Sequence, residues 1–192
     1  MLFLNQSKSS LSLNLRTEEG VDIAKRLISI SDVLVENYAS GVIERIGLGY
    51  EDIKEHNPNL IMVSSSGLGH SGPDKDHVAY GTLLQCFTGW SYQTGIPEKP
   101  PMIGGVWADP LTGMMQTFLV ASCLSGRYRT GLGQYVDFSM AEANTTLLQE
   151  SLMNFFMNKE IIERNGNYES GIGIHDLFPC KGFDSWVALA IE

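Results

Sequence analysis

An aspartate followed directly by a proline, Asp109-Pro110, is the feature of this 192-residue sequence best suited to chemistry. Asp accepts hydrogen bonds from the free N–H groups of a first helical turn, and Pro is tolerated at the first helical position. The pair therefore predicts the start of a helix. The helix dipole stabilises a carboxylate there, and such a carboxylate can act as a covalent nucleophile. Two interpretations follow for Asp109, a helix cap and a catalytic nucleophile, and this stretch alone does not separate them.

The apolar pattern predicts the elements that must position Asp109. A long apolar stretch from Leu111 to about Arg127 predicts a mostly buried helix. Strands are predicted at 10–15, 32–36, 60–64 and 134–139, and helices after Thr17 and at 40–47, 50–56, 79–90 and 140–158. Alternating strands and helices indicate an α/β fold, a doubly wound, mostly parallel sheet with flanking helices. It is expected in residues 1–160, and residues 161–192 are expected to form a linker and the start of a smaller α+β domain.

Other motifs offer weaker chemistry. Residues 67–72 match G-x-G-x-x-G after a predicted strand, but no helix pattern opens inside the motif and no acidic residue follows at the spacing of a dinucleotide site. This loop is interpreted as a turn that lets backbone approach a ligand or another loop. The four histidines have no paired-ligand spacing, so no metal site is predicted. A G-x-S-x-G elbow is absent, which argues against a serine hydrolase.

Composition limits the partners and the compartment. The formal net charge of −9 argues against nucleic acid as a partner. No run of about 18 apolar residues and no signal-peptide pattern occur, so neither a membrane span nor a leader is expected. The three cysteines lie far apart and in no metal spacing, which is typical of reduced thiols in a cytoplasmic protein.

Taken together, these segments resemble the family III CoA-transferases, the group that includes formyl-CoA and carnitine CoA-transferases. The resemblance extends over nearly the whole chain, with several motifs in family order and at family-like spacing. The stretches that carry it are NQSKS at 5–9, DVLVENYASGVIERIGLGYEDI at 32–53, NPNLIMVSSSGLGHSGP at 57–73, AYGTLLQCFTGW at 79–90, WADPLTGMMQ at 107–116, RTGLGQYVDFSMAEA at 129–143, RNGNYESG at 164–171 and LFPCKGFDSWVALAI at 177–191.

The resemblance implies transfer of CoA from an acyl-CoA to a small carboxylic acid through an aspartyl-CoA thioester, with Asp109 as the nucleophile. No tightly bound cofactor is implied, because CoA and acyl-CoA are substrates. The family's CoA contacts correspond to Asn37, Tyr38, Arg45 and Tyr80. The sequence departs from the family pattern in two places: Ala39-Ser40 stands where Arg-Pro is usual, and Val78 replaces a Lys found in some members.

The resemblance also implies two alternative functions and a homodimeric assembly. The α-methylacyl-CoA racemases of the same superfamily use a His with the matching Asp. Their His position is occupied here by Asp76, and His77 is one residue out of register. Family members are about twice as long and form interlocked homodimers, so the chain resembles an internal fragment whose own activity is uncertain. A non-catalytic remnant that binds CoA or dimerises is the second alternative.

Overall fold

The computed structural model describes residues 5–192, which divide into two compact units. Unit 1 contains the described residues up to 78 together with 114–139, and unit 2 contains 79–113 together with 140–192. The predicted boundary near residue 160 is a different division, and it stays a prediction. Within residues 5–192, no helix combines the length and the apolar character needed to cross a bilayer.

Unit 1 is built on a three-stranded parallel sheet. Its strands are β1 (Val33–Glu36), β2 (Ile61–Ser66) and β3 (Gln134–Ser139), in the order β1-β2-β3. In the register of the sheet, Glu36 lies beside Ser64, and Ser64 lies beside Asp137. Because neighbours in register point to the same face, these three polar side chains share one face near the carboxyl ends of the strands. The sheet confirms the predicted parallel arrangement.

Helices cover both faces of this sheet, as a doubly wound fold requires. One face packs against α1 (Glu18–Ser29), α2 (Val42–Ile46) and α3 (Tyr50–Ile53), whose buried residues form a cluster with Met62 of β2. The other face packs against α6 (Ala108–Thr130), where Cys123 joins Ile61 and Val63 in a second cluster. The predicted α/β fold is therefore confirmed.

Unit 2 contains four of the helices and a hairpin, and the first residues of α6 also belong to it. Its own elements are α4 (Gly81–Phe87), α5 (Trp90–Gln93), α7 (Met140–Thr145), α8 (Gln149–Asn158), β4 (Ile174–Pro179) and β5 (Trp186–Ile191). The two strands pair antiparallel. The Trp90 indole N–H donates a hydrogen bond of 3.2 Å to the Asn144 carbonyl, which ties α5 to α7.

Two predictions of secondary structure were wrong. Residues 10–15 alternate in polarity but form no strand with any described part of the chain. The helix predicted at 140–158 breaks into α7 and α8, because the hydroxyls of Thr145 and Thr146 donate to the carbonyls of Ala141 and Ala143 and compete with backbone hydrogen bonding.

Helix α6 is less buried than predicted. Met114 is 71% exposed and Phe118 is 76% exposed. The apolar residues of α6 surround the helix, whereas the sheet covers only the side that carries Leu119, Val120 and Cys123. An all-round apolar pattern predicts burial on every side, and in this chain only one side is covered.

Asn57 provides a test of how α1 is held in unit 1. Its side-chain amide donates to the carbonyls of Ile28, at 2.9 Å, and Ser31, at 2.8 Å, which ties the end of α1 to the segment that precedes β2. Asn57→Ala is expected to lower the free energy of unfolding by about 1–3 kcal/mol, since partly buried carbonyls lose their donor. Urea denaturation measures the loss, and the exposed Asn59→Ala is the control, with an expected change within about 0.5 kcal/mol.

Candidate functional site

Asp109 lies in the first turn of α6, two residues further into the helix than predicted. The Trp107 carbonyl accepts the first helical hydrogen bond, from the Leu111 N–H at 3.0 Å, so Trp107 and not Asp109 is the cap residue. Pro110 is still tolerated, because the first N–H groups of a helix have no partner within it. Asp109 is exposed to solvent. Its carboxylate is therefore accessible, in a turn where the helix dipole stabilises negative charge.

The Asp109 carboxylate lies directly against Gly81, the first residue of α4. A Cβ placed on Gly81 would lie 2.5 Å from Oδ1 and 3.0 Å from Oδ2. Gly81 itself is buried. The carboxylate thus occupies the space that a side chain at position 81 would need.

The same face of α4 also holds the segment that precedes Asp109. Gln85 is one turn beyond Gly81 and only 1% exposed, and its amide donates a hydrogen bond of 2.6 Å to the Gly105 carbonyl. The rings of Trp90 and Trp107 meet edge to face, with centroids 5.0 Å apart. Helices α4 and α5 therefore both contact the segment that immediately precedes Asp109.

Tyr80 precedes Gly81 and is 74% exposed. It occupies the cap position of α4 with extended backbone, and no side-chain hydrogen bond caps the helix there. The structure thus places Tyr80 one residue from the contact between Gly81 and Asp109, with its ring accessible to solvent.

Asn37 and Tyr38 follow β1 in unit 1, and both are exposed. The Tyr38 N–H donates to Oε2 of Glu36 at 2.8 Å, so the last side chain of β1 holds the backbone of the turn that carries them. Oε1 of Glu36 lies 3.6 Å from Nε2 of His70, with the two side chains 4% and 6% exposed. His70 belongs to the glycine-rich loop that follows β2.

The carboxylate of Asp137 holds that glycine-rich loop by hydrogen bonds. Asp137 of β3 accepts hydrogen bonds from the His70 N–H, at 2.8 Å, and from the Ser71 hydroxyl, at 2.9 Å. No helix begins inside the loop, since α4 starts only at Gly81. This agrees with the interpretation of residues 67–72 as a turn whose backbone approaches other parts of the chain. Burial raises the pKa of the nearby Tyr135 phenol above its ordinary value.

Arg45 lies on α2 and lines an open cavity of about 620 Å³. Arg16 and Lys25 line the same cavity, together with Glu18 and Asp22 of α1. The three cations come from separate parts of the sequence, and the fold of unit 1 brings them together around one surface. Such a group can bind phosphate oxygens by charge-assisted hydrogen bonds.

Unit 2 has a larger cavity, of about 820 Å³, which none of the sequence-predicted site residues lines. It lies between the connector after α5, the turn at 165–168 and strand β4. On its wall, a hydrogen bond from the Asn167 amide lowers the pKa of Asp176 below its ordinary value. Among the described residues, no group of three or more His, Cys, Asp or Glu side chains could hold a metal ion.

Sequence reasoning missed several residues that the structure places at these sites. Gly81 and Gln85 have a helical spacing of four, which was a usable signal, but only the fold shows that they face Asp109 and Gly105. Likewise, nothing in the sequence indicated that Arg16 and Lys25 lie near Arg45.

Comparison with known proteins decides the family. The family model described as CoA-transferase family III matches residues 1–192. The chain belongs to CoA-transferase family III. This membership agrees with the resemblance in the motifs from Asn5 to Ile191.

Individual members of the family show how much of a relative the chain covers. It is 37% identical over 181 residues to the acetyl-CoA:oxalate CoA-transferase of Acetobacter aceti, covering 93% of this chain and 46% of that protein. It is 31% identical over 188 residues to the succinate–glutarate CoA-transferase of Agrobacterium fabrum, covering 97% and 46%. A crystal structure of a CAIB/BAIF family protein from Brucella suis matches with a TM-score of 0.87 and 33% identity, over 93% of this chain and 47% of that one. The chain thus spans about half the length of these relatives.

Proposed function

We propose that this chain carries the nucleophile of a CoA-transferase, and that the nucleophile is Asp109. The observation that supports this most directly is the position of its carboxylate, which is exposed in the first turn of a long helix and lies against a residue without a side chain. A carboxylate is the group the reaction needs, because it can form both an acyl anhydride and a thioester.

The proposed reaction consists of acyl transfers that balance at each step. The Asp109 carboxylate attacks the thioester carbonyl, the C–S bond breaks, and a mixed anhydride and a CoA thiolate form. The thiolate attacks the aspartyl carbonyl, the donor acid leaves as its carboxylate, and an aspartyl-CoA thioester remains. The acceptor carboxylate then repeats these steps in reverse and regenerates Asp109. Covalent catalysis divides one difficult exchange into easier ones.

The CoA moiety is proposed to bind through Asn37, Tyr38, Arg45 and Tyr80. The cavity lined by Arg45 supports a phosphate-binding role, because Arg16 and Lys25 add two further cations to it, beside the carboxylates of Glu18 and Asp22. CoA carries a diphosphate and a phosphate monoester, and guanidinium groups bind such oxygens in bidentate geometry.

The substrates, assembly and compartment are part of the same proposal. Relatives are named for oxalate and for glutarate, which supports a small carboxylic acid as acceptor here. A homodimer is supported by the exposed apolar side chains of Met114 and Phe118 on α6, which a second copy would cover. The free thiols of Cys86, Cys123 and Cys180 support a reducing, cytoplasmic location.

Intact-protein mass spectrometry tests the proposed function. The folded 192-residue chain is incubated with succinyl-CoA or acetyl-CoA and its mass is measured before and after treatment with hydroxylamine. We expect an added mass equal to CoA less one water, removed by hydroxylamine, and assigned to Asp109 by fragmentation. A folded chain that acquires no such mass with any short acyl-CoA contradicts the proposal that this chain forms the intermediate.

The cavity lined by Arg16, Lys25 and Arg45 allows a separate prediction. Arg45→Gln is expected to raise the dissociation constant for CoA roughly tenfold, because one charge-assisted hydrogen bond to phosphate is lost. Isothermal titration calorimetry measures the change. Arg129→Gln removes an exposed cation at the end of α6 and serves as the matched control; equal effects of the two substitutions would show that only net charge matters and would contradict a specific site at Arg45.

A further inference from the structure

We propose that Gly81 is a positioning residue for Asp109, and that the absence of a side chain at position 81 sets where the nucleophilic carboxylate lies. This inference rests on the proposed function of Asp109. Gly81 itself would touch no reacting atom.

The geometry of the contact carries the argument. A Cβ on Gly81 would lie 2.5 Å from Oδ1, 2.9 Å from Cγ and 3.0 Å from Oδ2 of Asp109. Every one of these distances is at or below the closest approach that real Cβ atoms show, and all three involve the carboxyl group itself. The backbone of Gly81 has a conformation that alanine also adopts, since Gly81 is not among the residues with positive φ. The three heavy atoms nearest to a Cβ at position 81 therefore all belong to the Asp109 carboxyl group.

A second contact on the same helix face restricts how the clash could be relieved. Gln85, one turn along α4, holds the Gly105 carbonyl at 2.6 Å, and Trp90 packs on Trp107. Because α4 and α5 are tied in this way to the backbone that leads into α6, a methyl group at position 81 cannot be accommodated simply by moving α4 away. The exposed side chain of Asp109 is the part free to rotate, so Gly81→Ala is expected to turn the carboxylate out of its position.

A displaced nucleophile should lower the rate of the covalent step more than it lowers acyl-CoA binding. Misplacement of a reacting group by about 1 Å can reduce a rate by up to about 100-fold. We therefore expect Gly81→Ala to slow formation of the hydroxylamine-labile CoA adduct by roughly 10- to 100-fold at saturating acyl-CoA. The half-saturating concentration of acyl-CoA should stay within about twofold, because uniform binding is retained.

The experiment follows adduct formation over time by mass spectrometry at several acyl-CoA concentrations, for the unmodified chain, Gly81→Ala and Gly126→Ala. Gly126 is a matched control in α6, since a Cβ there meets nothing closer than 4.0 Å. A folded Gly81→Ala variant that reacts as fast as the unmodified chain overturns the inference. A Gly81→Ala variant whose rate falls only because its half-saturating concentration of acyl-CoA is higher also overturns the inference.

Two further measurements decide the inference without relying on activity. In crystal structures of the unmodified chain and of Gly81→Ala, the Asp109 carboxylate should differ in position by about 1 Å or more, and an unchanged position overturns the inference. If Gly81→Ala does not fold, the double variant Gly81→Ala/Asp109→Ala should fold as Asp109→Ala does, because the clashing group is absent; a double variant that is equally unfolded overturns it. If the unmodified chain forms no adduct, the proposed function fails, and these two measurements still decide the position of Asp109.

Discussion

We expect Asp109→Asn to leave the chain folded and to abolish the proposed hydroxylamine-labile CoA adduct. The amide has nearly the shape of the carboxylate, so it fits the space beside Gly81 and in the first turn of α6. The amide has no carboxylate oxygen that can attack the thioester and later be released when the nucleophile is regenerated. Loss of a covalent nucleophile lowers rates by roughly 10³-fold or more, so no adduct should accumulate in the time that saturates the unmodified chain.

A control substitution of acid to amide at another position separates the loss of the nucleophile from the loss of one negative charge. Glu98→Gln alters an exposed carboxylate of unit 2, in the connector before α6, and removes the same formal charge. Its adduct should form at the rate of the unmodified chain. An Asp109→Asn variant that still gains the mass of CoA less water would assign the intermediate to another residue and contradict the role of Asp109.

Gly133→Ala is expected to destabilise unit 1 strongly. Gly133 immediately precedes β3, and a Cβ there would lie 2.3 Å from the Leu60 carbonyl oxygen and 2.7 Å from the Pro58 carbonyl oxygen. The three nearest heavy atoms are all backbone atoms, which cannot turn aside as a side chain can. The Gly133 N–H donates to Pro58 at 3.1 Å, and the Gln134 N–H donates to Leu60 at 3.0 Å. Relief of the clash must break this start of the β2–β3 pairing.

The cost of Gly133→Ala should reach about 3 kcal/mol or more in the free energy of unfolding, at the upper end for overpacking. For a chain of this length, that lowers the melting temperature by roughly 6–12 °C. Urea and thermal denaturation followed by circular dichroism measure both quantities. The control Gly126→Ala, with open space around its Cβ and a helical backbone, should be neutral or stabilise the chain by up to about 1 kcal/mol. A folded Gly133→Ala variant as stable as this control contradicts the assigned register of β3.

The described fold explains why some predictions succeeded and others failed. The apolar run at 60–64 became β2, which is buried on both faces, as expected for an apolar strand of a parallel sheet. The short apolar run at 32–36 became the partly buried strand β1. The stretch at 134–139 alternates in polarity, and the strand it forms, β3, has one exposed face. Residues 10–15 have the strand period but no partner strand among the described residues, so the pattern alone did not suffice. In α6 the apolar residues predicted burial, but the amount of sheet available to cover them was not a property of the helix sequence.

By itself, the sequence determined the parallel α/β fold, the membership of CoA-transferase family III and the position of Asp109 at the start of a helix. These properties depend on residues that are close together in the chain, where periodicity, cap chemistry and motif spacing act. Only the tertiary structure decided that Gly81 faces the Asp109 carboxylate, and that Arg16 and Lys25 share a cavity with Arg45. Such contacts join side chains that are distant in sequence, and they arise from the packing of whole helices, which no local pattern encodes.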